Sequence, residues 1–214
     1  MSAVVDRERD LSILRELAAR VAEIAALPVQ EEKRQLWTKL NGLKAERPMV
    51  AISQICWNEM NVNDELTLQC EDDECRGYER RLRTDLYRWR HFPVDHVVDP
   101  FVTVGKAVGG MGLGVGAKDE VAVSDPTNAV VGHHYENQFQ TEADLDKIKE
   151  PQVTHDIEET ERRLAVAHEI FDGVLGVKLI GAGPPSLAIW DRIAEWMSVE
   201  GALYALVDQP EFVH

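Results

Sequence analysis

Apolar and polar residues recur along this chain with two different periods, and the changes of period mark its elements. In DLSILRELAARVAEIAAL (residues 10–27), Leu14, Leu17, Ala18, Val21, Ile24 and Ala25 fall on one stripe at three- and four-residue intervals. That is the mark of an amphipathic helix, with Asp10 as its N-cap and Pro28 as its stop. QEEKRQLWTKLNGLK (residues 30–44) predicts a shorter helix ending near Asn41 and Gly42. RPMVAIS, Arg47–Ser53, breaks the helical period and predicts a first strand, β-rich and with Pro48 at its edge. A polar-to-basic helical region follows over about Asp64–His91, and then FPVDHVVDPFVTV (residues 92–104) predicts a second strand. It is apolar on both faces, as a buried parallel strand requires.

The second half continues the alternation. EVAVSDPTNAVVGHHYE (residues 120–136) has two β-rich runs around the turn residues of SDPTN, which predicts a hairpin. Thr141 with Asp144 three residues on opens a short helix. Residues 155–176 predict a longer amphipathic helix stopped at Gly176, and VKLIGAGPPS (residues 177–186) a third buried strand and a turn. Ser186 caps the next helix, VEGALYALVD follows, and DQPEFVH reads as a new helix start with Pro210 near its first position. Strand–helix alternation with buried strands points to an α/β fold with a parallel sheet. Because the last helix has only begun at His214, the expectation is the N-terminal part of a longer protein.

Composition narrows the function classes. The chain has 214 residues, 44% of them hydrophobic and 29% charged, which fits a globular domain. Its formal net charge of -15 opposes phosphate backbones, so nucleic acid is not an expected partner. The one basic run, Arg80–His91, reads as a solvated helix face. No apolar run approaches a membrane span and MSAVVDRERD lacks a signal peptide's apolar core, so no membrane partner is expected either. Three cysteines, Cys56, Cys70 and Cys75, fit a reducing, cytoplasmic setting. Cys70 and Cys75 stand five apart, a spacing that puts them on different faces of a helix, and read as plain thiols rather than metal ligands.

GGMGLGVG (residues 109–116) invites a dinucleotide reading. The fingerprint needs G-x-G-x-x-G between a strand and a helix, whereas Gly110, Gly112, Gly114 and Gly116 alternate strictly and lead into a hairpin. A pliable loop after the second strand, closing on a substrate, is the expectation.

Four further segments carry a family resemblance. FPVDHVVDP, TEADLDKIKEP, GAGPPSLAIW and ALYALVDQPEFVH resemble, in order and spacing from about Lys39 to His214, segments of the uroporphyrinogen decarboxylase superfamily. The resemblance implies the N-terminal part of a (β/α)8 TIM barrel, with leading helices over residues 1–46, barrel over residues 47–214 and an inserted β-hairpin. It implies either of two chemistries: decarboxylation of a tetrapyrrole, or methyl transfer from a small methylated donor to a corrinoid (cobalamin) on a partner protein. The decarboxylases carry two arginines after the first strand, and AISQICWNEMN (residues 51–61) has none. Aligning on Asp95 puts Val102 where their second-strand aspartate belongs, and Asp99 three residues early. Both departures favour the methyltransferase branch. That branch holds zinc through residues of the barrel's second half, so the resemblance implies zinc only through residues outside this chain. A half-barrel must also pair with the missing C-terminal half or form a homo-oligomer. A non-catalytic half-barrel acting through such association is a third reading.

Catalytic groups of such barrels sit at the C-terminal ends of strands. After the first strand come Gln54, Trp57 and Asn58 as substrate-binding candidates and Glu59 as a catalytic one, against the plainer reading that Asn58 and Glu59 cap a helix. Asp99, placed at the end of the second strand, is a candidate general acid or base with its pKa raised by burial, or else an Asp-Pro turn. Gly181, Gly183 and Ser186, after the third strand, offer backbone N–H groups to a carboxylate or phosphate, although Ser186 first caps a helix. His133 and His134 point to opposite faces of the hairpin, and His155 and His168 are expected on a helix, in structural roles.

Overall fold

The computed structural model describes residues 6–125, 131–181, 183 and 188–214. Along the chain run helices α1 (Arg7–Ala25), α2 (Pro28–Asn41), α3 (Trp57–Met60) and α4 (Asp73–His91), then strands β1 (Phe101–Gly105), β2 (Ala107–Gly109), β3 (Asp119–Ala122) and β4 (Gly132–Tyr135). A 3-10 turn at Glu142–Lys147 leads to β5 (Thr154–Asp156), α5 (Ile157–Phe171), β6 (Gly176–Ile180), α6 (Ile189–Met197), α7 (Val199–Asp208) and α8 (Pro210–Val213). The fold is mixed α/β, and among the described residues the strands form three two-stranded sheets rather than a continuous barrel wall. The chain divides into two compact units, one of residues up to Gly105 with Glu158–Ile180, the other of Lys106–Ile157 with Gly181–His214. Among the described residues no helix is long and apolar enough to cross a membrane.

In the first unit, the stripe predicted for α1 is the one that is buried: Leu14, Leu17, Ala18, Val21 and Ala25. They pack with Cys75 and Leu82 of α4, Val102 and Val104 of β1, and Ala167, Ile170 and Phe171 of α5 in one core. Tyr78 meets Phe171 edge-on at 5.2 Å. β1 and β6 pair in parallel from Phe101 opposite Gly176 to Gly105 opposite Ile180. A parallel pair cannot be closed by a tight turn, and α5 lies in its connection. Leu179 and Ile180 of β6 remain 42% and 46% exposed.

Two fully buried carboxylates hold the segment between the helices. Asp10 accepts hydrogen bonds from the backbone N–H groups of Glu71 (3.0 Å) and Asp72 (2.9 Å). Glu79 accepts from the N–H groups of Gln69 (2.9 Å) and Cys70 (2.8 Å) and from Arg83 Nε (2.7 Å). Burial alone would raise the Glu79 pKa, but these donors outweigh it and hold the group below the ordinary glutamate value. Asp72, fixed by Asp10, in turn accepts from Cys75 N–H and caps α4.

Several expectations are corrected here. The N-cap of α1 is Asp6, whose side chain accepts from Arg9 N–H, so Asp10 is free to serve the loop. Pro28 opens α2 at its first position, where its missing N–H costs nothing. Arg47–Ser53 is not a strand. Instead, Asp95 clasps it, accepting from Val50 N–H (2.9 Å) and Arg47 Nη2 (2.7 Å) while its own N–H donates to Val50 O. The second strand is only Phe101–Gly105, and α4 begins at Asp73 rather than Asp64. His155 lies in β5, not on a helix.

The second unit holds the expected hairpin, β3 against antiparallel β4, with Glu120 opposite His134 and Val121 opposite His133. Its turn residues Pro126–Val130 lie outside the described residues. Its core stacks Phe139 on Trp196 at 5.3 Å beside Met197, Ala202 and Ala205. The Thr141–Asp144 capping box forms as predicted, on a 3-10 turn. Two glycines of the 109–116 stretch are required by geometry. Gly110 has φ +70, and a Cβ there would stand 1.9 Å from Gln152 O; Gly114 has φ +85 against Lys147 and Lys149. They fix the loop against the 147–153 segment rather than merely loosening it.

Glu79→Gln is expected to destabilise the chain by about 2–3 kcal/mol, because an amide offers one acceptor oxygen where the carboxylate serves three donors. The pKa of Glu79 is lowered on folding, so its contribution is present above the ordinary glutamate range and lost as pH falls through the folded value. Urea unfolding should therefore show the gap between wild type and variant closing below roughly pH 4. A gap that is constant or widens on acidification contradicts this role.

Candidate functional site

Within α4, the core stripe Cys75, Glu79 and Leu82 is flanked by a second one: Arg81, Asp85 and Arg88, at i, i+4 and i+7. These side chains line a cavity of about 300 Å3 in the first unit. Its opposite wall is the segment before β1, with His96 and Asp99, and it reaches Phe101, Val102 and Leu175. It therefore lies at the amino-terminal ends of β1 and β6.

The electrostatics are uneven. Burial holds the Asp85 carboxyl above the ordinary aspartate value, against the pull of Arg81, His96 and Arg88. Burial likewise holds His96 below the ordinary histidine value; Asp85 draws it up, while Arg88 and Lys33 press it down. The two groups face each other with His96 Nε2 4.0 Å from Asp85 Oδ1. Arg81 donates to the Thr103 hydroxyl at 2.7 Å. Arg88 stacks its guanidinium carbon 5.1 Å from the centre of the Trp57 ring, and its Nε is buried with no hydrogen-bond partner.

The sequence candidates are dispersed by comparison. Asp99 lines this cavity, but before β1 rather than at its carboxyl end. It is exposed and 3.4 Å from Arg34 Nε, not a buried acid. Trp57 opens α3, meets Tyr87 edge-on at 6.0 Å and carries Arg88. Gln54, Asn58 and Glu59 are exposed, and Glu59 N–H closes a turn on Cys56 O. These three line neither this cavity nor the larger one described below. Gly181 follows β6 and, with Gly183, has open space at its Cβ position; Ser186 lies outside the described residues. Arg81, Asp85, Arg88 and His96 were not singled out from the sequence. The solvated-face reading of the Arg80–His91 run hid three of them, although their i, i+4, i+7 spacing was there to be read.

The second unit has its own cavity, of about 730 Å3, between the glycine stretch (Gly114–Lys118) and Glu136–Lys147. Its most acidic group is already engaged: Asp144 accepts from the N–H groups of Gln140 and Thr141 and pairs with Lys147 at 2.7 Å, which holds its carboxyl well below the usual range. His133 and His134 stand on opposite faces of the hairpin, His133 bonded to Asp119. His168 bonds Asp172 at 2.7 Å on α5. Cys70 and Cys75 are buried, and burial pushes the Cys75 thiol up to about 12, so neither is a reactive thiolate. Among the described residues no three His, Cys, Asp or Glu side chains gather as a metal site. No protein-family model, curated protein or solved structure matches the chain.

The Asp85–His96 pairing makes a direct prediction. In Asp85→Asn the favourable charge beside the imidazole is gone while burial remains, so the already low His96 pKa is expected to fall further. A histidine-resolved NMR titration of wild type and variant measures it; an unchanged or raised value means the two groups do not face each other in solution.

Proposed function

We propose that this chain forms part of a (β/α)8 barrel of the uroporphyrinogen decarboxylase type, and that the assembled barrel moves a methyl group from a small methylated donor to a corrinoid carried by a partner protein. The observation that carries this reading is the parallel β1–β6 pair with α5 in its connection, the repeating unit of such a barrel. The four segments of sequence resemblance, in order along the chain, support it, and the exposed Leu179 and Ile180 fit a strand that awaits a covering layer. A third reading, a non-catalytic half-barrel, draws on these exposed residues, one on each side of β6, alone.

In the methyl-transfer reading the methyl leaves its donor without the bonding electron pair, which the donor keeps, and the reduced corrinoid accepts it. The chain's part is to hold the donor in line and exclude water. In such a barrel the donor sits at the carboxyl ends of the strands, so Asp99, which precedes β1, is not placed to act on it. Gly181 and Gly183 keep their proposed role as backbone donors to the substrate; Ser186, proposed with them, lies outside the described residues.

One observation favours the tetrapyrrole decarboxylase instead. The 51–61 segment has no arginine of its own, yet α4 delivers Arg88 onto Trp57, a guanidinium able to meet a substrate carboxylate.

The deciding assay gives the chain, with and without the second half of such a barrel, small methylated amines and reduced free corrinoid, and separately a porphyrinogen. Methylated corrinoid, read from its visible spectrum, is expected to form at least about tenfold faster than without protein once both halves are present. Carbon dioxide release from the porphyrinogen with no methyl transfer would establish the second reading. Neither product with both halves present leaves the non-catalytic one.

A further inference from the structure

We infer that the cavity at the amino-terminal ends of β1 and β6 binds a small oxyanion, of the carboxylate or phosphate class, through Arg81 and Arg88. This site is independent of the proposed methyl transfer, which belongs to the opposite ends of the strands.

The argument is a charge balance over named groups. Of the cavity's two carboxylates, Asp99 is matched by Arg34 of α2 at 3.4 Å. Asp85 is held toward its neutral form by burial. Lys33 of α2 donates to the carbonyls of Val94 and His96, so its charge adds to the same side. Arg81 hydrogen-bonds the Thr103 hydroxyl and Arg88 stacks on the Trp57 ring with its Nε buried and unpartnered; among the described residues neither is ion-paired, and Asp85 is the carboxylate whose field they share. A chain with net charge -15 has abundant carboxylates to pair with these arginines, and in this cavity it does not use them. Arg88, half-buried and stacked, is pre-organised for an oxyanion with little side-chain freedom left to lose, while Arg81, exposed at the cavity's edge, is held by its bond to Thr103. A volume of about 300 Å3 is ample for a small anion.

The site is coupled to pH. Asp85 is faced by Arg81 and Arg88 from α4 and by His96 and Asp99 from the segment before β1; Lys33 and Arg34 stand behind them on α2. Protonating Asp85 removes a competing charge and protonating His96 adds a favourable one, so both steps strengthen anion binding as pH falls.

The test is calorimetric titration of the whole chain with sulfate, whose own charge is constant across the range used, at about pH 5 and about pH 8 in equal chloride, so that the lower point lies below the ordinary histidine value. Saturable one-to-one binding, tighter at the lower pH, is expected. Arg88→Gln should weaken it roughly tenfold or more, the loss of a charge-assisted hydrogen bond. Asp85→Asn should tighten it at the higher pH and flatten the pH dependence, which keeps the claim testable if the arginine variant does not fold. Displacement of sulfate by acetate or by phosphate identifies which oxyanion is preferred. No saturable binding, displacement by neither anion, or affinities indifferent to both substitutions overturns the proposal.

Discussion

Everything in the first unit rests on two carboxylates that are taken out of water and repaid with backbone N–H groups. Asp10 and Glu79 are fully buried, and between them they hold the backbone from Gln69 to Asp72 against α1 and α4. A buried charge without such donors would be prohibitive, so the loop cannot leave without exposing both groups to an apolar core. The clasp is also reciprocal. The segment fixed by Asp10 presents Asp72 as the cap of α4, and α4 returns Glu79 to the same segment. Part of the chain's large acidic excess is thus structural, spent on its own backbone rather than on solvent.

From that clasp the geometry of α4 follows. With Cys75, Glu79 and Leu82 turned to the core, the neighbouring stripe of Arg81, Asp85 and Arg88 faces the segment before β1. That segment is held from the other side by α2. The buried Gln30 accepts from Val98 N–H at 2.9 Å, Lys33 donates to Val94 O at 2.8 Å, and Trp37 Nε1 donates to Asp95 O at 2.8 Å. The cavity is consequently built between two fixed walls, and its charges cannot easily relax away from one another. Burial between these walls displaces both Asp85 and His96 toward their neutral forms, against the mutual attraction that would keep them charged.

The helices were legible because their information is local. The α1 stripe, the end of α2 at Asn41, the Thr141–Asp144 capping box and the start of α8 at Pro210 all depend on spacing within a few residues. Strands depend on a partner edge: the hairpin and β6 were found, but two other strands were misread. Arg47–Ser53 has strand-forming residues, but a side-chain clasp by Asp95 takes the place of a ladder. The strand predicted over residues 92–104 begins only at Phe101, which moves Asp99 from its carboxyl end to its amino-terminal side. The cavity was the least legible part. Its arginines sit in a basic run that local charge assigns to water, and the core stripe of Cys75, Glu79 and Leu82 leaves Arg88 half-buried and Arg81 exposed at the cavity's edge. Gln54, Trp57, Asn58 and Glu59 were chosen from their place after a strand that does not form, and of them only Trp57 touches the cavity's machinery, beneath Arg88.

The central claim is that β1 and β6 form the parallel core of a βαβ unit, since the proposed barrel and the position of the cavity both follow from it. Isotope-edited nuclear Overhauser measurements on the two strands test it most directly. The account predicts cross-strand contacts joining Val102 to Val177 and Val104 to Leu179, in parallel register. Contacts in the antiparallel sense, or none between the strands, would contradict it.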